Sequence, residues 1–196
     1  MDDRRQRRPE DDWIFDPALA AINRSLHREL RAEAEEVESI MAEAELRART
    51  LADIAREARN RGDRVSIATT QRGFNGQVIY AAGDLVTLRS RSFEVDINLD
   101  DVAYVRVIER GRSGGRALAD GPGTFEMRLV ERRSPHVRVE VGYRALRETL
   151  MGRVTTVGQD HILVLDDQDH EWVLPLGAVS YVVRRVAPDR RTGPVR

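Results

Sequence analysis

The feature that most constrains the fold of this chain is an internal repeat. Residues 76–78 (Gly-Gln-Val) match residues 152–154 (Gly-Arg-Val), and Asp84 matches Asp160 at the same offset of 76 residues. At an offset of 77, four further residues recur unchanged: Leu99, Val102, Tyr104 and Val105 recur as Leu176, Val179, Tyr181 and Val182. A segment that recurs at a fixed offset is one supersecondary unit used more than once. We therefore expect two copies of one unit.

Each copy has the residue pattern of short β-strands. From residue 64 to residue 108, five short runs rich in β-branched residues are separated by turn residues such as Gly83-Asp84. Upstream, at an offset of 74, three positions recur with similar residues: Thr50, Val65 and Ile67 recur as Thr124, Val139 and Val141. Five strands in so short a span predict a small meander or barrel. We predict barrels over residues 61–110 and 124–185, joined by a glycine-rich linker at 111–123.

A long amphipathic helix is predicted ahead of the first copy, over residues 17–60. Asp16-Pro17 is a typical helix start, and Gly62 is a typical helix stop. Between them no glycine or further proline occurs, and apolar residues recur every 3.6 positions, which is the helical period. These residues form one stripe: Leu19, Ile22, Leu26, Leu30, Ala34, Val37, Met41, Ala44, Ala48, Leu51 and Ala55.

The apolar stripe has two interpretations. Its small residues allow close packing, either on the protein's own barrels or on the helix of a second copy as a coiled coil. For the second interpretation the interaction residues are Leu30, Val37, Met41, Ala44 and Leu51. A membrane partner is not expected, because the segment from residue 29 to 45 holds seven glutamates and one arginine, and anionic lipid would repel it.

Composition excludes several classes of chemistry. All 32 basic residues are arginine, and the chain contains no cysteine. Thiol nucleophiles, cysteine zinc sites, P-loop lysines and Schiff-base lysines are therefore excluded. The dense acidic stretch at 166–171 is interpreted as a hairpin turn, with a divalent-cation site as the alternative. We predict no catalytic residue, no metal and no cofactor, and hence a non-enzymatic protein.

The two ends of the chain are predicted to lack a packed core. Residues 1–16 are polar apart from a short apolar anchor at 13–15, and residues 186–196 form a basic tail with two prolines. Both are expected to be disordered. The longest nearly apolar run, at 172–183, is too short for a bilayer, which requires about 20 residues. A cytoplasmic location is expected.

The order of elements in each copy resembles the Sm-like (LSm/Hfq) fold, which has much in common with SH3-like barrels. The resemblance covers residues 51–108 and 124–185: a short helix, a strand, Gly-x-Val on a bent strand, a Gly/Asp turn, an apolar strand and two final strands. Together with the helix predicted from periodicity, it gives an α+β fold in which a long N-terminal amphipathic helix is followed by two small antiparallel Sm/SH3-like β-barrels. It also implies RNA binding on the face of a ring of modules. The positions of the family's uracil-reading asparagine hold Leu88 and Val164 here.

Arginines near strand ends are therefore the candidate nucleic-acid contacts: Arg72, Arg89 and Arg91 in the first copy, and Arg153, Arg184 and Arg185 in the second. Arginine surfaces with tyrosines beside them, here Tyr80, Tyr104 and Tyr181, bind single strands by phosphate pairing and base stacking. The alternative is an ordinary solvated surface over half-buried tyrosines. We predict a regulatory or scaffolding protein that binds single-stranded RNA or DNA weakly. The alternative function is protein–protein assembly, as a homo-oligomer or with another protein, through the N-terminal helix.

Overall fold

The computed structural model describes residues 17–111, 121–134, 136–144 and 149–186. Three helices are α1 (Pro17–Ala48), α2 (Leu51–Arg61) and α3 (Phe125–Arg132). The strands of the first half are β1 (Arg64–Thr69), β2 (Gly73–Ala82), β3 (Leu85–Arg89), β4 (Phe93–Asn98) and β5 (Val102–Glu109). Those of the second half are β6 (Val139–Tyr143), β7 (Leu150–Val157), β8 (His161–Asp166), β9 (Glu171–Pro175) and β10 (Val179–Arg185).

The single helix predicted over residues 17–60 is two helices. α1 ends at Ala48, and Thr50 starts α2 as its N-cap. The Thr50 hydroxyl accepts a hydrogen bond from the Asp53 backbone N–H at 3.2 Å, and the Asp53 carboxylate accepts one from the Thr50 N–H at 3.0 Å. This reciprocal capping box satisfies backbone groups that a continuous helix would bond internally, so it stabilises a new helix start. Gly62 ends α2 in the left-handed conformation, with φ 75°.

The prediction of two small closed barrels is wrong. All ten described strands belong to one open antiparallel sheet in the order β5-β1-β2-β3-β4-β10-β6-β7-β8-β9. In a separate closed barrel both neighbours of β4 would belong to its own half, but β4 pairs with β3 on one side and with β10 of the second half on the other. β5 and β9 are left as the two edges of the sheet.

The two halves have the same strand pairing. Val65 of β1 faces Gly76 of β2, and Val139 of β6 faces Gly152 of β7. The bent strands carry a register shift at the same place, between Val78 and Tyr80 in one half and between Val154 and Thr156 in the other. Both halves therefore share one register, at the offsets of 74 to 77 residues that the sequence repeat shows.

Two apolar cores lie on this sheet, and each borrows side chains from the other half. Ala55 and Ala58 of α2 pack in the first core together with Tyr181 and Val183 of β10. The second core contains Phe125 and Leu129 of α3 and also takes in Tyr80 and Leu85 of the first half. This exchange agrees with the division of the chain into two units, since residues 50–196 form one unit and residues 1–49 another.

Several predictions fall on residues that the structure does not describe. They are the disordered N-terminus at 1–16, most of the linker (residues 112–120) and all but the first residue of the basic tail. Within the described ranges, none of the helices combines the length and the apolar character needed to cross a membrane.

Candidate functional site: an arginine-lined cleft

Four arginines line a cleft of about 810 Å³ in the first half of the sheet: Arg64, Arg89, Arg91 and Arg110. The polar side chains of Asn75, Gln77 and Ser90 line the same cleft, together with Glu109 as its single acidic residue. Glycines at 62, 76 and 111 complete the lining. The cleft therefore presents guanidinium and amide groups with an excess of positive charge.

Strand register places the cleft residues side by side. Glu109, Arg64, Gln77 and Arg89 face one another in sequence across β5, β1, β2 and β3. Directly opposed residues of antiparallel strands share one face of a sheet. Adjacent strands lie about 4.8 Å apart, so Arg64 and Arg89 are separated by roughly 10 Å on that face. Gly76 permits this close strand contact, because a Cβ there would lie 2.8 Å from the carbonyl oxygen of Arg89.

The four arginines differ in whether a carboxylate of the protein pairs with them. Arg64 is 3.7 Å from the carboxylate of Glu109, and the Nε of Arg89 donates to Glu94 at 2.8 Å. Arg91 and Arg110 form no ion pair with any residue in the described part of the chain. These two guanidinium groups are the ones available to an anionic ligand at no cost in internal contacts.

The other candidate arginines do not join the cleft. Arg72 pairs with Glu140 at 2.6 Å and lies over the ring of Phe74. Arg184 donates to Glu94 at 2.7 Å, and Arg153 is 3.7 Å from Asp169. Arg185 is exposed and lines a smaller groove of about 400 Å³ in which Arg138, Glu140 and Met151 also lie. Of the six predicted residues, only Arg89 and Arg91 line the cleft, and Arg184 shares the carboxylate of Glu94 with Arg89.

The tyrosines proposed as stacking surfaces are mostly unavailable. The hydroxyl of Tyr80 donates to the carbonyl oxygen of Pro122 at 2.8 Å, and its ring lies under the guanidinium of Arg128. Tyr181 is fully buried against Phe74, with ring centroids 4.7 Å apart. Tyr104 of the edge strand β5 is exposed. Two of the three tyrosines are therefore core residues.

Comparison of this chain with protein-family models, curated proteins and solved structures found no match. Sequence reasoning found Arg89 and Arg91 but missed Arg64 and Arg110. Each of these lies beside a glycine turn, at Gly62 and Gly111, and only the pairing of β1 with β5 brings them together.

A buried ionic network on β4 orients Arg89 at the rim of the cleft. Glu94 is almost fully buried and bonds to Arg89, to Arg132 of α3 and to Arg184 of β10. Burial alone raises the pKa of the Glu94 carboxyl, but hydrogen bonds from Arg89 and Arg184 and the charges of Arg89 and Arg132 outweigh it, and the net pKa is lowered. Glu94 therefore stays ionised and links three elements.

A second carboxylate of β4 continues the network. Asp96 accepts a hydrogen bond from the Thr87 hydroxyl at 2.7 Å and another from Arg132 at 3.0 Å. The charge of Asp96 raises the pKa of Arg132 in spite of burial, which lowers it. The network fastens α3 and β10 to β4, at the line where the two halves meet.

The acidic stretch at 166–171 is the turn between β8 and β9. The Asp166 carboxylate accepts hydrogen bonds from the backbone N–H groups of Gln168 and His170 and, at 2.9 Å, from the indole of Trp172. These bonds, led by that of Trp172, lower the pKa of Asp166 to about 2. Within the described residues, no three His, Cys, Asp or Glu side chains are grouped to hold a metal ion.

The predicted interaction residues are divided between two helices. Leu30, Val37, Met41 and Ala44 lie on α1, where the three large side chains are more than half exposed. Leu51 lies on α2 and is partly exposed, whereas Ala55 of the same predicted stripe is buried in the first core. The stripe therefore packs on the sheet through its α2 part.

Proposed function

We propose that this protein is a non-enzymatic binding protein that holds single-stranded nucleic acid in the arginine-lined cleft. The observation that supports this proposal is the convergence of four arginines on one cleft, two of them without an ion pair among the described residues. Guanidinium groups donate two parallel hydrogen bonds to a phosphate, which favours phosphate-bearing ligands over simple anions.

The amides in the cleft favour a single strand over a duplex. Asn75 and Gln77 each carry a donor and an acceptor, which can bond to the exposed edges of unpaired bases. A duplex hides most of these edges and is held by a broad basic surface. Outside the cleft, however, Arg72, Arg153 and Arg184 are all close to carboxylates.

The direct test is charge reversal of the two unpaired arginines. R91E/R110E is expected to weaken binding of a fluorescent oligouridine by at least about tenfold, since a charge-assisted hydrogen bond contributes roughly 1.5–3 kcal/mol. Fluorescence anisotropy at low salt measures this, with an RNA and a DNA oligonucleotide of the same length as the two arms. The matched control is R133E, which reverses an exposed arginine at the end of α3.

R133E is expected to bind within about twofold of the unmodified chain, because Arg133 does not line the cleft and reversing its charge acts there only as a screened, long-range effect. Equal losses of oligonucleotide affinity in R91E/R110E and R133E would mean that the whole surface charge attracts the strand and that the cleft is not the binding site. Absence of binding to both oligonucleotides at low salt contradicts the proposal outright.

A second candidate function, self-association through α1, is favoured by a separate observation. Leu30, Val37 and Met41 lie on one stripe of α1 and are all more than half exposed. A stripe with this spacing buries its side chains when it pairs with the same stripe of a second copy.

V37E/M41E tests this candidate by placing two charges on the stripe. We expect the oligomer mass to fall while the melting temperature of the sheet is unchanged, because both side chains are already exposed in the chain. Light scattering measures the mass and circular dichroism the melting curve. An unchanged mass removes the candidate.

A further inference from the structure

The joint between the two halves is made by β4 and β10. Five residue pairs face each other across it, from Tyr181 opposite Ile97 to Arg185 opposite Phe93. The two faces of β10 serve different cores: Tyr181 and Val183 pack in the first core, whereas Val182 packs in the second. β10 therefore completes a core that belongs to the neighbouring half.

The strands equivalent to β4 and β10 are the two edges of the sheet. An offset of 77 residues relates β4 to β9 and β5 to β10, and neither β5 nor β9 has a second partner among the described strands. Tyr104 is 53% exposed, whereas its counterpart Tyr181 is 0% exposed. Val173 is 61% exposed, whereas its counterpart Asp96 is 3% exposed. The same structural positions are thus buried at the joint and open at the edges.

Both edge strands expose large apolar side chains, although β9 has only five residues and carries Glu171 and Pro175 at its ends. Exposed edge strands are commonly blunted by charge, proline or short length, because their unpaired N–H and C=O groups accept another strand. β5 has eight residues and only two charged ones, and it exposes Tyr104, Val107 and Ile108. β9 exposes Trp172 and Val173.

We infer that β9 of one copy of this chain pairs with β5 of a second copy, in the way that β4 pairs with β10 within the chain. Applying the offset of 77 to the internal joint gives the register: Tyr104 faces Leu174 of the second copy, Val105 faces Val173, Arg106 faces Trp172, and Val107 faces Glu171. Both strands are then antiparallel, as in the internal joint.

Tyr104 is one of the side chains that this joint is expected to bury. Its counterpart Tyr181 packs edge-on against Phe74 of the first core. The residue equivalent to Phe74, at an offset of 76, is Leu150, which belongs to the second core. Tyr104 therefore enters the second core of the adjoining copy beside Leu150 and Leu174.

The occupant is a second copy because both edge strands, β5 and β9, lie on one chain. Their counterparts β10 and β4 already pair in this register within the chain. The contact is heterologous, since β9 meets β5 and not another β9. Heterologous contacts close into a ring or continue as a filament. The assembly mass is therefore a multiple of 22.2 kDa.

The first test compares Y104D with M127D by light scattering. Met127 of α3 has the same exposure as Tyr104, 53%, and lies away from both edges in the sequence and in the strand order. The unmodified chain and M127D are expected to run as oligomers of equal mass, and Y104D at a lower mass with an unchanged melting curve. A monomeric unmodified chain, or an oligomer that survives Y104D and is lost in V37E/M41E, overturns the inference.

The second test uses the absence of cysteine from the chain, which makes engineered thiols the only ones present. V107C/E171C places two cysteines opposite each other in the inferred register, where Cα separations of about 4.5–5.5 Å allow a disulfide. In the control, V107C/H170C, the second thiol lies one residue before β9 and is out of register with position 107.

Oxidation is expected to give a ladder of disulfide-linked oligomers for V107C/E171C and little for V107C/H170C on a non-reducing gel. Failure of V107C/E171C to cross-link, or equal cross-linking in both variants, contradicts the register and the joint. Because this readout requires no ligand, its result is independent of the cleft's binding activity.

Discussion

At the scale of single residues, one buried carboxylate, that of Glu94, has three arginine partners. Glu94 carries its charge in a nearly dry position because Arg89, Arg132 and Arg184 all reach it. A buried ion group of this kind tolerates loss of one member badly, since the remaining charges stay buried without compensation. Glu94 does not line the cleft, but it contacts Arg89 at the cleft rim and Arg184 at the joint between the halves.

E94Q is expected to lower the free energy of unfolding by about 3 kcal/mol at neutral pH, because three guanidinium groups lose their shared anion. For a chain of this length the loss corresponds to roughly 6–12 °C in Tm. Urea unfolding followed by circular dichroism measures it. E140Q is the control, since Glu140 is a less buried carboxylate that also pairs with an arginine, Arg72.

E94Q also predicts the direction in which the stability difference from the unmodified chain changes with pH. The pKa of Glu94 is lower in the folded chain than its ordinary value of 4.5, so the folded state binds fewer protons than the unfolded state. The stabilisation from its charge is complete above the ordinary value and is lost as pH falls through the lowered folded value. The stability difference between the unmodified chain and E94Q should therefore shrink in acid. A difference that stays constant down to acid pH would contradict the ionised network.

At the scale of elements, the first helical segment shows why periodicity alone misplaces a boundary. The apolar stripe continues at the helical period through Arg49 and Thr50, so the pattern predicts no break there. The break is specified by Thr50 and Asp53, whose capping box the apolar stripe does not reveal. Local hydrogen bonding decided between two helical patterns that periodicity cannot distinguish.

The two N-caps of the repeat provide a matched prediction. Thr50 and Thr124 are equivalent residues, and each hydroxyl accepts a backbone hydrogen bond at 3.2 Å, from Asp53 and Met127 respectively. T50A and T124A are each expected to cost about 1 kcal/mol of stability, with serine at either position restoring most of it. Thermal melts of the four variants check this. A threonine whose alanine variant loses nothing is not a stabilising cap.

At the scale of the whole molecule, the repeat was readable from the sequence but its assembly was not. Identical residues such as Gly76 and Gly152 mark equivalent registers, so the strands and their neighbours within a half followed from the pattern. Whether β4 closes on its own half or joins the other did not follow, because a strand's backbone groups are the same for either partner. Burial of Tyr181, compared with exposure of its twin Tyr104, is a consequence of that choice.

Prediction of the candidate site from the sequence was limited in the same way. Arg89 and Arg91 are close in sequence and could be paired by inspection, but Arg64 and Arg110 reach the cleft only through the β1–β5 pairing. Arg72 and Arg184 looked equally available, and their carboxylate partners Glu140 and Glu94 lie 68 and 90 residues away. Long-range pairing decided which arginines are free, and no local signal encodes it.

The salt dependence of binding tests the central claim most directly. Each phosphate neutralised on a single strand contributes about −0.7 to the slope of log K against log salt, so two to four arginines predict a slope of roughly −1.4 to −2.8. In R91E/R110E the slope should flatten by about 1.4, the share of two phosphates. A slope that is unchanged in the double variant, or affinity that does not depend on salt, would contradict the arginine-lined cleft as the binding site.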